Sequence, residues 1–250
     1  MRSSPNPSPD SAIILAGGAG TRLGALTANT PKPLLPVAGH PFIRHLLDYL
    51  AVQEIRRVVL ATGYMAAQFE SVLGGHYRGL ALSYSVETEP LGTGGALARA
   101  MNAMTDEAIF VLNGDTFFPV SLAALAARNA QLGTAGTMAL RHVTDTGRYG
   151  RVAIGEDRIR TLDEKSTAGP GLVNGGVYLI RTSPLLLSAP RPSFSLEHDI
   201  FPNWAAEGML GYVACDEYFV DIGVPADLER AQHEIGRQTS VSRENSRHGR

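Results

Sequence analysis

Ile13-Ile14-Leu15-Ala16-Gly17-Gly18-Ala19-Gly20-Thr21-Arg22-Leu23, followed by Pro31-Lys32-Pro33, is the stretch from which the rest of the chain can be read. A β-branched apolar run that ends in three glycines within four residues predicts a buried strand opening into a loop. Lacking Cβ atoms, such a loop lets backbone N–H groups approach a phosphate closely. Arg22 adds a planar fork of donors and Lys32 a mobile point charge, so one anionic ligand would meet two cations of different geometry. The segment predicts a polyphosphate cradle made of Leu15, Ala16, Gly17, Gly18, Gly20 and Thr21, with Arg22 and Lys32 as its cations. Two rival motifs fail on spacing. A dinucleotide fingerprint needs a glycine where Leu23 stands, and a P-loop needs Gly-Lys-Ser/Thr where the chain has Arg22-Leu23-Gly24.

Outward from that loop, strand-like and helix-like runs alternate: Ile13 to Ala16, a helix from about Pro41 to Ala51, Val58 to Ala61, a helix near Met65 to Leu73, then Leu82 to Val86. A helix opening at Gly94-Gly95, the apolar run Ile109 to Leu112, a helix from Ser121 to about Gln131 and a strand at Thr137 to Leu140 continue the series. This alternation predicts an α/β, doubly wound, mostly parallel sheet covered on both faces. Ligands in such folds collect at the carboxyl ends of the strands, where the glycine loop and Gly114-Asp115 both fall. Arg151 to Ile154, Ile159 to Leu162 and Val173 to Ile180 read as shorter strands of a smaller mixed or antiparallel extension. Asp199 to Glu207 and Ala226 to Ile235 read as helices.

The 250 residues are 44% hydrophobic and 18% charged, enough for one large core, and the net charge of −2 argues against nucleic acid and anionic membrane as partners. A phosphate ligand must then be drawn by local cations. Cys215 is the only cysteine, so no intrachain disulfide forms, and it reads as a small apolar filler in a reducing compartment. No apolar stretch has the length of a membrane span. Residues 1–10 are rich in Ser and Pro and lack an apolar signal core, so they read as a disordered leader before a single domain over 11–236. Residues 237–250 read as a flexible tail. The placement expected is cytoplasmic.

Leu15–Leu23 (LAGGAGTRL) with Pro31–Gly39 (PKPLLPVAG) resembles the signature of the sugar-1-phosphate nucleotidylyltransferases. The resemblance implies a Rossmann-like, GT-A-like architecture whose smaller β extension forms the sugar side of the cleft. It turns Asp115 and Asp221, each at a strand end, from ordinary turn residues into ligands of Mg2+ held between nucleotide and sugar phosphate, a hard cation suited to oxygen donors. It makes Glu89 to Leu97, with Gly92 and Thr93, a base-recognition loop, although which base it reads does not follow from these residues. A plain reading of the same loop takes Thr93 as a helix cap. By the same resemblance Asn113 joins the nucleotide site, while Tyr149, Gly150, Glu164, Lys165 and Asn174 meet the sugar phosphate, with Arg148 as an added contact. His45, His142, His198 and Asp199 read as structural, because phosphoryl transfer to an ionised phosphate oxygen needs no general base.

The activity implied is transfer of a nucleotidyl group from a nucleoside triphosphate to a sugar 1-phosphate, with Arg22, Lys32 and Asp115 as catalytic residues. Residues 113–118, 145–150, 174–178, 194–202 and 218–232 are similar to the branch of the family that makes GDP-heptose from GTP and heptose 1-phosphate for bacterial surface polysaccharides. Mannose-1-phosphate guanylyltransferase and N-acetylmuramate-1-phosphate uridylyltransferase are the neighbouring branches. A nucleotide-sugar-sensing binding protein is the alternative from another class, and the intact set of charged residues speaks against it. A homodimer stays open, since no apolar pattern locates an interface.

Overall fold

The structure, a computed structural model, describes residues 9–18, 20–163, 168–189 and 191–248, with side chains as far as 236. The Ser11–Leu15 strand lies at the centre of the main sheet, parallel to Arg57–Thr62 on one side and to Ala108–Asn113 on the other. Leu80–Val86 continues the parallel set beyond Arg57–Thr62. These strands are nearly continuous apolar runs because both faces are covered. Successive side chains divide between two cores, as the two-residue period of a strand requires. Ala12 and Ile14 pack with Phe42, Leu46 and Leu50 of the Phe42–Val52 helix, and Ile13 packs with Leu97 and Met101 of the Gly92–Met101 helix.

The second half of the chain joins this same sheet. Gly171–Arg181 pairs antiparallel with Ala108–Asn113, and Gly136–Val143 pairs antiparallel with Gly171–Arg181. The strand at Thr137 to Leu140 is therefore present and runs in the direction of the parallel block, with Gly171–Arg181 as the reversed strand between them. Leu210–Cys215 runs parallel to Gly136–Val143, and the Arg151–Ile154 and Ile159–Asp163 hairpin closes the edge. The sheet is mixed, with its parallel block in the amino-terminal half. A register shift between Asn174 and Tyr178 marks a bulge, where Gly176 takes a φ of 71° that favours glycine.

Two helix boundaries differ from the sequence reading. A π-helical turn over Leu196–Ile200 precedes the Phe201–Ala206 helix, because the Ser195 hydroxyl accepts the N–H groups of Glu197 (3.1 Å) and His198 (3.2 Å) and starts the turn early. The last helix spans Pro225–His248, so it continues through the segment read as a loose tail. Beyond Gly236 that segment carries no proline or further glycine before Gly249, and its Arg, Gln and Glu residues have good helix propensity.

The Gly92–Met101 helix is locked to the Pro192–Leu196 segment by its glycines. The Phe194 carbonyl accepts N–H groups from Gly94 (2.9 Å) and Gly95 (3.2 Å), and a Cβ on Gly95 would lie 2.4 Å from the Pro192 carbonyl oxygen. Alanine ordinarily favours a helix interior by about 1 kcal/mol over glycine. Here a backbone atom blocks it, so Gly95→Ala is expected to lower stability by about 1–3 kcal/mol, read as a lower denaturation midpoint at unchanged m-value.

Cys215 packs at the margin of the core, and burial, with Glu217 and Asp216 nearby, pushes its thiol up to about 11. At pH 8 only about 10⁻³ of it is then thiolate. Alkylation by iodoacetamide should be on the order of 100-fold slower than for a small free thiol at that pH, and should accelerate steeply between pH 9 and 11.

Candidate active site

The carboxyl ends of the four parallel strands open onto a cavity of about 660 Å³. Leu15, Ala16, Gly17, Gly18 and Gly20 form one wall, Gly92 and Thr93 another, and Lys32, Asn113 and Asp115 close the end near Ala108–Asn113. Nine of the residues expected at the nucleotide thus line a single space. Thr21 and Arg22 do not; they begin the Thr21–Thr27 3₁₀ segment, and both are exposed. Gly20 is left-handed at φ 65°, and its α-carbon packs over the stem of Lys32, where a Cβ would fall 3.2 Å from Lys32 Cβ.

Lys32 Nζ lies 2.6 Å from Asp115 Oδ2, with 9% of the lysine side chain and 31% of the aspartate side chain exposed. Asp221 is brought to the same place by the backbone. Val220–Asp221 pairs antiparallel with Thr116–Phe117, placing Asp221 opposite Thr116, and Ile222 N–H donates to the Asp115 carbonyl at 2.9 Å. Two aspartates 106 positions apart in sequence therefore sit on neighbouring backbones. Burial, and then the Asp115 charge, push the Asp221 carboxyl above the usual carboxylate range, opposed by the Gly223 N–H, Lys32 and Arg148. Asp221 Oδ1 accepts the Gly223 N–H at 2.6 Å. Arg22 reaches this corner instead of the cavity, since a Cβ on Gly223 would be 3.1 Å from its Nη2.

Of the expected sugar-side residues, Tyr149, Gly150 and Asn174 lie outside the cavity lining. Tyr149 stacks edge-on against Phe219 with centroids 5.5 Å apart, two residues before Asp221. Gly150 turns the chain at φ 76°. Arg148 lies 5.0 Å over the Tyr149 ring, pairs with Asp227 at the start of the last helix, and places Nη2 3.8 Å from Asp221 Oδ2. Asn174 sits at the bulge and accepts the Gly176 N–H at 2.9 Å. Glu164 and Lys165 lie outside the described residues.

The Thr93 cap is corrected by the structure. The Gly92–Met101 helix begins after Leu91, without a side-chain cap, and the Thr93 hydroxyl donates to Glu197 Oε2 (2.6 Å) while accepting the Leu196 N–H (2.9 Å). Gly94 and Gly95 likewise face the 192–194 segment, so their lack of a Cβ serves packing there. His45 is buried with Nε2 2.9 Å from the Val37 carbonyl, and burial lowers its pKa. Asp199 accepts the Ser195 N–H at 2.8 Å.

Sequence reasoning missed Glu87 and Gly63, both in the cavity wall. Glu87 follows the Leu80–Val86 strand, and its Oε2 accepts the Leu91 N–H at 3.2 Å. Its Oε1 lies 2.6 Å from the position a Cβ would take on Gly17 and, equally, on Gly63. The available signal was an acid at the end of a parallel strand, the position already used to single out Asp115.

The glycine-walled cavity at the carboxyl edge of the parallel strands thus ends in a buried lysine and Asp115, with Asp221 on the neighbouring backbone. The chain matches the family described as Nucleotidyl transferase over residues 11–238, and it belongs to that family. It is 36% identical over 225 residues to D-glycero-alpha-D-manno-heptose 1-phosphate guanylyltransferase of Aneurinibacillus thermoaerophilus, spanning 90% of this chain and 97% of that one. It is 35% identical over 237 residues to mannose-1-phosphate guanylyltransferase of Mycobacterium tuberculosis, spanning 92% of this chain and 66% of that one. The crystal structure of HddC from Yersinia pseudotuberculosis complexed with GMP-PN superimposes with a TM-score of 0.79 at 30% identity, over 90% of this chain and 98% of that one.

Proposed function

We propose that this protein transfers GMP from GTP to a D-glycero-D-manno-heptose 1-phosphate, forming GDP-heptose and pyrophosphate in the bacterial cytoplasm. Lys32 paired with Asp115 at the end of the glycine-walled cavity, with Asp221 on the neighbouring backbone, supports the transfer reaction. The heptose is supported by the relative of that activity, which this chain matches over 97% of its length.

In this reading the triphosphate lies along Gly17, Gly18 and Gly20, whose backbone can approach it without side-chain interference. A sugar phosphate oxygen attacks the α-phosphorus as the bond to the β-phosphate bridging oxygen breaks, and pyrophosphate leaves. No proton need be removed from the nucleophile, so the protein's task is positioning and charge neutralisation. Lys32 contributes a buried positive charge beside the reacting phosphates. Tyr149, Gly150, Asn174, Glu164 and Lys165 hold the sugar phosphate, and Arg148 orients Asp221.

The donor set fits a divalent cation of the magnesium type. Two carboxylates are held close enough for one to raise the pKa of the other, and among the described residues no group of three or more His, Cys, Asp or Glu surrounds them. That suits a hard ion completing its shell with water and substrate phosphate, and not a closed structural site. Asp115 and Asp221 would hold it, and when bound it supplies neutralisation of charge on the transferring phosphoryl group.

Purified protein supplied with GTP, Mg2+ and either heptose 1-phosphate or mannose 1-phosphate separates the two sugars, with products read by mass spectrometry. GDP-heptose is the expected main product. Preferential formation of GDP-mannose would move the sugar assignment, and a higher yield with UTP would overturn the guanylyl assignment.

A further inference from the structure

We propose that Tyr178 is a positioning residue for the nucleotide: its hydroxyl links the side-chain amides of Asn174 and Asn113, so that Asn113 turns an N–H group into the cavity. The inference rests on the nucleotidyl-transfer reading only in placing a nucleoside triphosphate in that cavity.

Tyr178 stands opposite Val111 in the antiparallel pair, and Asn113 is two residues further along the Ala108–Asn113 strand, so the two side chains share a face of the sheet. On that face the Tyr178 ring packs against Phe201, with centroids 5.1 Å apart, and the residue is 1% exposed. Its hydroxyl lies beside the Asn174 and Asn113 amides. Yet among the described residues neither that hydroxyl nor Asn113 Oδ1 has a hydrogen-bond partner, although both are buried. Burying either one unpaired lowers stability, and phenylalanine would fill the same space without that loss. A hydroxyl kept at such a position points to a task other than packing.

The groups join in one consistent direction. Asn174 Oδ1 already accepts the Gly176 N–H at 2.9 Å, which leaves its Nδ2 to donate. The Tyr178 oxygen accepts from that Nδ2, and the Tyr178 O–H donates to Asn113 Oδ1. Asn113 Nδ2 is then the free end of the chain, and Asn113 lines the cavity. Burial first, and then the Glu197 charge, hold the Tyr178 phenol above the ordinary tyrosine range, so it keeps the proton it must donate. Each link polarises the next, which strengthens the last donor. Gly176 makes room for the arrangement, since a Cβ there would lie 3.1 Å from Asn113 Nδ2. The N–H so presented suits an acceptor oxygen on the sugar or phosphates of the nucleotide.

GTP affinity by calorimetry and melting temperature are measured for the unaltered protein, Tyr178→Phe, Asn113→Ala, the double variant, and Tyr49→Phe as a contrast. Tyr49 is also buried, but its hydroxyl donates to the Val120 carbonyl at 2.7 Å, and the residue is outside the cavity lining. Tyr49→Phe should therefore lower the melting temperature by about 2–4 °C and leave GTP affinity unchanged. Tyr178→Phe should do the reverse: a melting temperature level or up to about 4 °C higher, with GTP bound about 10-fold more weakly, the range of one hydrogen bond. In the Asn113→Ala background the same change should weaken GTP by less than about twofold, because the amide it orients is gone. GTP affinity within about twofold of the unaltered protein in Tyr178→Phe, a full second loss in the double variant, or a melting temperature that falls in Tyr178→Phe as in Tyr49→Phe, would overturn the proposal. Failure of the transfer reading would look different: the Tyr178 and Asn113 effects on GTP would stay coupled, yet no sugar 1-phosphate would yield pyrophosphate.

Discussion

Lys32→Met is expected to lower kcat for nucleotidyl transfer by about 10²–10³-fold, the cost of removing one preorganised charge from a site of this kind. Methionine keeps an unbranched stem of similar reach, so the packing of position 32 beneath Gly20 is retained and the loss is electrostatic. With only 9% of its side chain exposed, Lys32 acts where water screens little, and its partner Asp115 is 2.6 Å away. Arginine should rescue little, because its wider planar fork cannot occupy the space of a compact ammonium. Single-turnover measurements with saturating substrates separate this from weaker binding. A kcat within a few-fold of the unaltered enzyme would remove Lys32 from the reaction.

Asp221→Asn should produce an opposition between activity and stability. Its carboxyl is pushed up by burial and by the neighbouring Asp115 charge, so in the absence of ligands the negative charge is a burden on the fold. Asparagine keeps the acceptor for the Gly223 N–H, now 2.6 Å from Oδ1, and removes the repulsion. The melting temperature should stay level or rise by about 2–4 °C, corresponding to up to about 1 kcal/mol in a chain of this size. Turnover should meanwhile fall by about 10³-fold, because the second carboxylate of the proposed cation site is gone. Such trade-offs are expected where a site holds like charges together for function. A variant that melts much lower would instead make Asp221 a structural residue.

Much of this molecule was legible in order along the chain. The alternation of apolar runs and amphipathic helices before residue 113 yields the parallel block, since local periodicity and the two-sided burial of those strands agree. Gly171–Arg181 was harder: its apolar run is compatible with either direction, and its place beside Ala108–Asn113 depends on long-range pairing that no local pattern carries. At the site, the glycine loop stood out as missing Cβ atoms after a strand and Lys32 as a charge downstream of it, while Asp115 and Asp221, at strand ends, were singled out by the family resemblance. Arg22 carries the same cues, yet it points to Gly223, because the 3₁₀ turn after Gly20 carries it past the cavity. The capping role that the sequence also allowed for Thr93 failed for a related reason, its partner Glu197 lying 104 positions away. Glu87 escaped notice because its neighbours, Gly17 and Gly63, meet it only in three dimensions.

The most direct measurement is pyrophosphate release from GTP by purified protein with Mg2+, with and without D-glycero-D-manno-heptose 1-phosphate, for the unaltered chain and Asp115→Asn. The expected result is release that requires the sugar phosphate, matches GDP-heptose mole for mole, and drops by two to three orders of magnitude in the variant. Release that ignores the sugar phosphate, or survives loss of the Asp115 charge, would contradict it.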